Sequence, residues 1–596
     1  MASLYFQYCH MQPLWLFDED DLASPEKYSE EIILALMALT LPYSSHTRFQ
    51  GRTEELSRHY SKLARDRILL QVTEGNVKLS TIQGLCMLAF ANFIVRDVHF
   101  ASLHISMAMT FLRCAGMDAE ARPGDLSGPA EARRRVFWSL LYLDQIYGQQ
   151  STPLNVLTNF DNPKYVGSKL DLPREFSILP PSWPQESFVS GQTQGGGIWA
   201  YLVQLSTLWR QVRTYMSQCA DSNTKTPWSA DSGYSIICAH LMDLETKLPA
   251  AHRYDLARFP DQSTEDLENN RAYWSPWLSI QFTYHAIHSL LNHPFLYSSR
   301  PQQSAQLAVP NTFWKTSSEL ALLHSTWIVR LIDMVTEKPY PISDPFVGHC
   351  VAIAATILIY FCRAADTNLK QAAQSKLTVC KIYLSELAVR WPVCKTMHDR
   401  LQALMRSAFD SNERDSSRRT VSINTSLMWE VLDYTNVDTR RKHASGGTLF
   451  HESLCPTTDA ADEEDDTVET QIFHSSTREV DTSDGGQALP PFSDHVVRRT
   501  TYPRTSRGRN EQQAEWLLPD PAMASNPAVA LPPGGNQNMA GPPQGQGPPP
   551  PGAPQYAPWL GAFTGNASIM DITHDPFMQF QDSGSPYFGM WEVGNL

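Results

Sequence analysis

Apolar residues recur at helical spacing along most of the chain, from about residue 26 to residue 440, and alternating runs of β-branched residues are few. The segment 29–41 begins with acidic residues after Ser29, as helix N-termini often do. Further apolar helical segments lie at 81–95, 99–117, 198–218, 277–297, 317–335, 348–362 and 376–391. The pattern predicts an all-α fold, in which a multi-helix domain of stacked antiparallel helices covers 1–440.

Two parts of the chain depart from this pattern. Residues from about 150 to 195 are rich in Pro and Gly, so we predict a long irregular loop inside the helical domain. After about residue 440 the chain has an acidic run at 459–466, a basic run at 496–509, and Pro, Gly and Gln at 526–555. Such segments bury too little apolar surface to offset the entropy of ordering, so 441–555 is predicted to be a disordered linker in a long C-terminal tail.

Net charge and cysteine usage narrow the class of protein. The 596-residue chain has a formal net charge of −14, which argues against a surface that is basic overall and binds nucleic acid. Its 10 cysteines include no CxxC pair, so we expect reduced thiols in an intracellular protein and no cofactor in this chain. The apolar run at 350–362 is shorter than the roughly 20 residues that span a bilayer, so no membrane association is expected.

The sequence carries few signatures of an enzyme. The sequence has no phosphate-binding GxxxxGK[ST] loop and no GxSxG nucleophile elbow. One alternative is a metal-dependent all-α enzyme such as a terpene cyclase, with Asp20 and Asp21 in the stretch DEDDLAS (18–24) binding magnesium. The stretch lacks the third carboxylate of a DDxxD motif, so a solvated acidic loop is the better interpretation. A helical scaffold is the other alternative, and it would require a repeat period that the sequence does not show.

The stretch EARRRVFWSLLYLDQIYG (131–148) brings three arginines against a helix that is apolar nearly all round, which indicates burial. Arg133, Arg134 and Arg135 lie in the first turn, where the helix dipole disfavours cations. Asp144 lies about 16 Å further along the axis, so it cannot pair with them directly. We therefore expect Asp144 to meet a cation on a neighbouring element, and Arg134 and Arg135 to form ion pairs between helices rather than a DNA-binding arm.

This stretch resembles the signature helix in the middle homology region of fungal zinc-cluster transcription factors. Arg134, Arg135, Trp138 and Asp144 occupy the matching positions. Weaker similarities extend over roughly 1–400, including the opening SLYFQYCHMQPLWLF and the helix that ends in HPF. Two features depart from the family, since Gln145 stands where Arg is usual and QQSTPLN replaces the Gly-Arg-Pro that normally follows.

The resemblance implies a nuclear transcriptional regulator whose helical region is a regulatory domain. Family members usually carry an N-terminal six-cysteine zinc cluster, and this sequence contains none. Zinc is therefore expected only if such a cluster lies upstream. A truncated gene model is the favoured explanation, and the alternative is a regulator that reaches DNA through a partner protein. Transcriptional coactivators or corepressors are the expected partners, and homodimerisation is a further expectation.

The tail carries two candidate functional segments. In 556–596, large aromatic residues alternate with acidic ones, which predicts an activation segment that docks in coactivator grooves; a solubilising tail is the alternative. Its candidate anchors are Trp559, Phe563, Phe577, Phe580 and Trp591. The basic stretch RRTTYPRTSRGR predicts a nuclear import signal through Arg498, Arg499, Arg504, Arg507 and Arg509, although short Arg-rich patches are common in tails.

Overall fold

Helices make up almost all of the structure, which is a computed structural model. It describes residues 1–22, 28–119, 127–148, 197–220, 225–298, 310–364, 366–410, 420–433 and 467–471, all of which belong to one compact unit. The helices of the first half are α1 (Ala2–Tyr8), α2 (Glu30–Thr40), α3 (Thr53–Thr73), α4 (Leu79–Ile94), α5 (Val98–Cys114) and α6 (Gly128–Tyr147).

The second half continues the helical series. Its helices are α7 (Gly197–Ala220), α8 (Gly233–Lys247), α9 (Tyr254–Ala257), α10 (Thr264–Asn269), α11 (Arg271–Leu291), α12 (Pro294–Ser298), α13 (Asn311–Glu337), α14 (Phe346–Phe361), α15 (Thr367–Arg390), α16 (Pro392–Asp410) and α17 (Thr425–Leu432). The predicted all-α class is confirmed. None of the helices in the described ranges is long and apolar enough to cross a membrane.

One small sheet accompanies the helices. Strands β1 (Thr420–Asn424) and β2 (Thr467–Gln471) pair antiparallel, with Thr420 opposite Gln471. Val421 and Ile423 of β1 are fully buried, so alternate residues of the strand face the helices. Strand β2 lies in the segment 441–555, which the sequence predicts to be disordered. Its residues TVETQ include β-branched side chains and neither Pro nor Gly, so they suit a strand once β1 offers an edge.

In the first half of the chain, α4 is the most buried element. Every residue of α4 from Thr81 to Ile94 is buried, because α2, α3, α5 and α6 pack around it. Helix α3 approaches this core along a face of mostly small residues, Ser57, Ser61, Ala64 and Ile68. Small side chains allow two helices to pack closely, and the Ser57 hydroxyl donates a hydrogen bond to the carbonyl of Ala38 in α2.

In the second half, α14 occupies the centre. All of its residues are buried, and α11, α13, α15 and α16 surround it. The sequence predicts this element as a buried helix over 348–362, and the structure agrees to within two residues at its start. A helix that is apolar on every side is stable only inside a bundle of this kind.

The segment that precedes α14 joins the two halves. The Tyr43 hydroxyl donates to the carbonyl of Ser343 at 3.3 Å, and the amide of Gln12 lies 3.0 Å from the Ser343 hydroxyl. Arg271 of α11 donates to the Ser343 hydroxyl at 3.2 Å and to the carbonyl of Pro341. Contacts from the N-terminal segment, from the turn after α2 and from α11 therefore converge on five residues, Pro341–Pro345.

Three histidines cluster between α11 and α13. The Nδ1 atoms of His285 and His324 lie 2.8 Å apart, and the rings of His288 and His324 stack with 4.2 Å between their centroids. A hydrogen bond between two imidazole nitrogens requires that the accepting ring be neutral. Burial lowers the pKa of all three histidines, to about 4 for His288.

We predict that the unfolding temperature of the chain falls as the pH is lowered from about 6.5 towards 4. Unfolded histidines bind protons below about pH 6.5, whereas these histidines do not, so the unfolded state binds more protons and gains stability as the pH falls. The variant His288→Phe keeps an aromatic ring that can stack on the ring of His324, and it removes one titrating group. Its unfolding free energy should depend less on pH, by about 1.4 kcal/mol for each unit of pKa difference removed.

The control is His59→Phe, the same change at an exposed position of α3. Burial raises the pKa of Asp255 and of Asp344 to about 6, and these carboxyls act in the opposite direction. They are present in both variants, so the comparison cancels their contribution. Equal pH slopes in His288→Phe and His59→Phe, measured by calorimetry, would contradict the prediction.

Candidate functional site

The arginines at the start of α6 are divided between the interior and the surface. Arg133 is exposed, whereas Arg134 and Arg135 are each only 4% exposed. Arg134 forms an ion pair with Glu131, one turn earlier in the same helix. A guanidinium that is buried and already paired with a carboxylate is not available to bind phosphate.

Arg135 joins α6 to the segment that follows α1. Its guanidinium pairs with the carboxylates of Asp18 and Asp21, with 3.0 Å between Arg135 Nη2 and Asp21 Oδ2. Asp21 also accepts a hydrogen bond from the backbone N–H of Asp18 at 2.9 Å. Two carboxylates of the acidic run therefore neutralise one buried cation of the signature helix.

The ion pairs of Asp18 and Asp21 with Arg135 argue against the hypothesis of a metal-dependent enzyme. A terpene cyclase would need the carboxylates of DEDDLAS to bind magnesium, but Asp21 is held by Arg135 and by backbone. Within the described ranges, no group of three or more His, Cys, Asp or Glu residues is placed to hold a metal ion. The acidic stretch has a structural partner, and nothing in its geometry favours a metal centre.

The middle of α6 carries the aromatic residues of the signature. Trp138 is 5% exposed, and its ring meets that of Phe137 edge to face with 4.7 Å between centroids. Beside it, the Ser139 hydroxyl accepts a hydrogen bond from the backbone N–H of Trp15 at 3.0 Å. The Trp15 ring in turn packs edge to face on Trp199 of α7 at 5.5 Å. The signature helix thus holds the N-terminal segment against α7.

At the other end of α6, Asp144 meets a cation on a neighbouring helix. Its carboxylate pairs with Arg210 of α7, and both side chains are nearly buried, at 13% and 12% exposure. Burial raises the pKa of Asp144, although the Arg210 guanidinium lowers it. Because desolvation outweighs the attraction, this pair does more to fix how α6 and α7 meet than to add net stability.

Gln145 stands at the position where the family usually has Arg, and it forms a neutral contact with α7. Its amide nitrogen donates to the Thr207 hydroxyl at 2.7 Å, and its amide oxygen accepts from the Ser206 hydroxyl. The cations at this interface come from α7 instead, in Arg210 and Arg213. Side chains from the neighbouring helix therefore supply the positive charge that the signature lacks at Gln145.

Arg213 closes the C-terminal end of α6. It is 2% exposed and donates hydrogen bonds to the carbonyls of Ile146 at 3.2 Å and Gly148 at 3.0 Å. Carbonyls at the end of a helix have no N–H of a following turn to bind, so they need other donors. A cation at this end also interacts favourably with the helix dipole. Arg213 further lies 3.7 Å from the carboxylate of Asp433, which follows α17. One side chain thus connects α6, α7 and the residue that follows α17.

Tyr147, in the last turn of α6, reaches the segment before α14. Its hydroxyl donates a hydrogen bond to Asp344, whose carboxylate also accepts from the backbone N–H of Phe346 at 2.9 Å. Burial raises the pKa of Asp344 to about 6, while these hydrogen bonds lower it. The signature helix is therefore joined at one end to the N-terminal acidic segment and at the other to the centre of the second half.

The sequence predicted some of these residues and missed others. The structure places all four signature residues, Arg134, Arg135, Trp138 and Asp144, in the interior or close to it. Arg210, Arg213, Tyr147 and Asp344 were missed. The sequence does mark them, because each is an ionisable or hydroxyl group that lies inside an apolar helical segment or between prolines, as in LWRQVR and PISDP.

Two groups of candidate residues from the tail lie outside the described residues. They are Trp559, Phe563, Phe577, Phe580 and Trp591, and Arg498, Arg499, Arg504, Arg507 and Arg509.

We predict that Asp144→Ala lowers the free energy of unfolding by about 3 kcal/mol, since it removes the carboxylate from a nearly buried ion pair. Arg210→Met removes the charge and keeps an apolar stem. In the double variant Asp144→Ala/Arg210→Met, the loss should be smaller than the sum of the two single losses. Urea denaturation of the four proteins measures this coupling.

The control for this experiment is the surface pair Asp243–Lys247, whose side chains are 60% and 63% exposed. Asp243→Ala should leave the unfolding midpoint almost unchanged, because solvent screens exposed pairs. An Asp144→Ala variant that unfolds at the same urea concentration as Asp243→Ala would show that the α6–α7 pair does not hold the domain together.

Comparison with known proteins bears on the part of the chain that contains α6. Residues 2–150 match the fungal specific transcription factor domain. The chain is 25% identical over 295 residues to the Zn(2)-C6 fungal-type transcription factor FTF1c of Fusarium oxysporum f. sp. lycopersici, a match that covers 47% of this chain and 30% of that protein. The factor FTF2 of the same fungus is 25% identical over 218 residues, which are 36% of this chain and 19% of that protein.

A wider match comes from a second fungus. The uncharacterized transcriptional regulatory protein C530.11c of Schizosaccharomyces pombe is 22% identical over 423 residues, 66% of this chain and 50% of that protein. No solved structure matches the chain. The chain thus spans about a third of the length of the Fusarium factor FTF1c. The match ends just after the signature helix, so the part of the chain that is similar to the fungal specific transcription factor domain includes all of α6.

Proposed function

We propose that this chain is a nuclear transcriptional regulator, in which the helical region is the regulatory domain. The observation that carries the proposal is the signature helix. Its four family residues lie inside the matched domain, and Arg135 and Asp144 each pair with a charge from another part of the chain. The proposal assigns no enzymatic activity and no cofactor to this chain.

In this proposal, α6 does not contact DNA. Arg134 and Arg135 are buried and paired with carboxylates, so they cannot release counterions from a phosphate backbone as DNA-binding cations do. DNA binding is assigned to a zinc cluster outside this sequence or to a partner protein. Zinc would then be held by that other module.

The tail is assigned to contacts with the transcription machinery. The segment 556–596 combines large aromatic side chains with acidic residues, the composition of segments that fold into coactivator grooves. Coactivators are therefore the proposed partners, with corepressors as the alternative if the segment is inactive. The basic stretch at 496–509 is proposed to direct nuclear import.

We predict that the full chain, fused to a heterologous DNA-binding domain, activates a reporter gene in yeast. Replacing Trp559 and Trp591 with Ala should reduce activation severalfold, because aromatic anchors supply most of the binding energy in such grooves. The matched control is Trp516→Ala, the same change in the tail outside the segment. Equal reporter activity in the two variants, at equal protein levels by immunoblot, would remove the activation segment from the proposal.

A second prediction concerns import. A fluorescent fusion of the full chain should accumulate in the nucleus, and replacing Arg498, Arg499, Arg504, Arg507 and Arg509 with Gln should shift it to the cytoplasm, because import receptors bind clustered positive charge. Gln replacement of three exposed arginines of the helical domain, Arg52, Arg58 and Arg67, is the control for loss of charge alone. Nuclear accumulation that persists in the five-arginine variant would assign import to another segment.

A further inference from the structure

The outward face of α15 carries no charge along most of the helix. Six of its exposed residues recur every three or four positions and form one stripe, which consists of Gln371, Ser375, Thr378, Ile382, Ser385 and Val389, while the exposed charges Lys370, Glu386 and Arg390 lie near its two ends. Ile382 is 57% exposed and Val389 is 90% exposed. The opposite face packs on α14 and α16, so the stripe is the side of the helix that the domain leaves open.

A helix face in contact with water is normally charged, and α3 shows this within the same domain. Its exposed residues include Glu54, Glu55, Arg58, Lys62, Asp66 and Arg67. The α15 stripe instead combines two β-branched apolar residues with hydroxyl and amide side chains. Ile382 and Val389 are the two positions of the stripe at which contact with another protein surface would remove apolar area from water.

The spacing of the stripe is that of a coiled-coil seam. The intervals from 371 to 389 alternate between four and three residues, so Ser375, Ile382 and Val389 occupy one heptad position, a, while Gln371, Thr378 and Ser385 occupy the other, d. Two of the three a residues, Ile382 and Val389, are β-branched, as in parallel two-stranded coiled coils, although the d positions lack the leucines of those coiled coils. The stripe is about 27 Å long at the helical rise of 1.5 Å per residue.

The charges beside the stripe are complementary to those of a second, identical helix. Lys381 lies at heptad position g and Glu386 at position e, five residues later. In a parallel pair of identical helices, a g residue faces the e residue of the next heptad on the other helix. Lys381 therefore faces Glu386 of the second copy, and two-fold symmetry makes this contact twice.

Two further features allow this approach. Neither Lys381 nor Glu386 forms an ion pair with another residue of the described ranges, so both charges remain available. The other flanking positions include Ala372 and Ala388, whose small side chains let a second helix come close.

We propose that α15 is a self-association face, on which a second copy of this chain docks with its own α15 parallel to the first. The hydroxyl and amide groups at position d make the contact weaker than a leucine seam, so the dimer forms reversibly and depends on concentration. The proposal concerns the helical domain alone and does not depend on a role in transcription.

Sedimentation of the full chain over a hundredfold range of concentration tests this proposal. The unchanged protein should shift from monomer to dimer, and Ile382→Asp/Val389→Asp should remain monomeric, because it places four carboxylates in the seam of a dimer. Ile236→Asp is the matched control, since Ile236 is exposed at 46% on α8, and it should dimerise like the unchanged protein. A chain that stays monomeric throughout, or a dimer that survives the double substitution, overturns the proposal.

Charge reversal tests the pairing itself. Lys381→Glu and Glu386→Lys should each weaken the homodimer, because each brings like charges together twice. An equimolar mixture of the two variants should form a heterodimer, since both contacts are then attractive. If the mixture stays as weak as the separate variants, Lys381 does not face Glu386 of the second copy.

Cross-linking tests the direction of the helices. In a parallel pair, position 385 faces itself across the seam, at a Cα separation below the roughly 7 Å that a disulfide allows. Ser385→Cys should therefore cross-link to itself under mild oxidation, above the background set by Cys114, the exposed cysteine of the unchanged chain. A dimer whose Ser385→Cys variant gives no disulfide above that background is not parallel, and the proposal fails.

Discussion

The buried contact between Tyr147 and Asp344 is the constraint on which the arrangement of the domain depends. It joins the last turn of the signature helix to the segment before α14, across 197 positions of sequence. A carboxylate with 1% exposure is costly to bury, and the tyrosine hydroxyl and the N–H of Phe346 offset that cost. Neither half of the chain can satisfy Asp344 alone, so both halves have to fold around it together.

The same logic explains why charged residues of the family signature are internal. Arg135 pairs with Asp18 and Asp21, and Asp144 pairs with Arg210, so each contact fixes the position of a separate segment. Buried ion pairs of this kind add little net stability compared with apolar packing. Any arrangement of the helices that separates the partners is unstable, however, because it leaves a buried charge without its counterion. Their contribution is therefore to specify one docking geometry for α6.

The sequence predicted the helices and the need for a cation at Asp144, because periodicity and the cost of a buried carboxylate are local properties. It did not identify Arg210, because the partner depends on how α6 and α7 cross, and about 50 residues of sequence separate the two helices. Strand β2 was missed for a similar reason. Five residues in a polar tail become a strand only when β1, more than 40 residues earlier, provides backbone partners.

Helix α15 shows where periodicity alone is ambiguous. The sequence predicts a helix over 376–391, but a stripe of Thr378, Ile382, Ser385 and Val389 is also what a buried face looks like. The structure resolves this, because Leu377, Cys380 and Leu384 take the buried face and leave that stripe outside. The stripe, with Ile382 and Val389 exposed and with Lys381 and Glu386 beside it, makes no packing contact that the fold of the domain requires. A second copy docked there would bury Ile382 and Val389 and bring Lys381 opposite Glu386, which are the two gains that a lone copy of the helix cannot have.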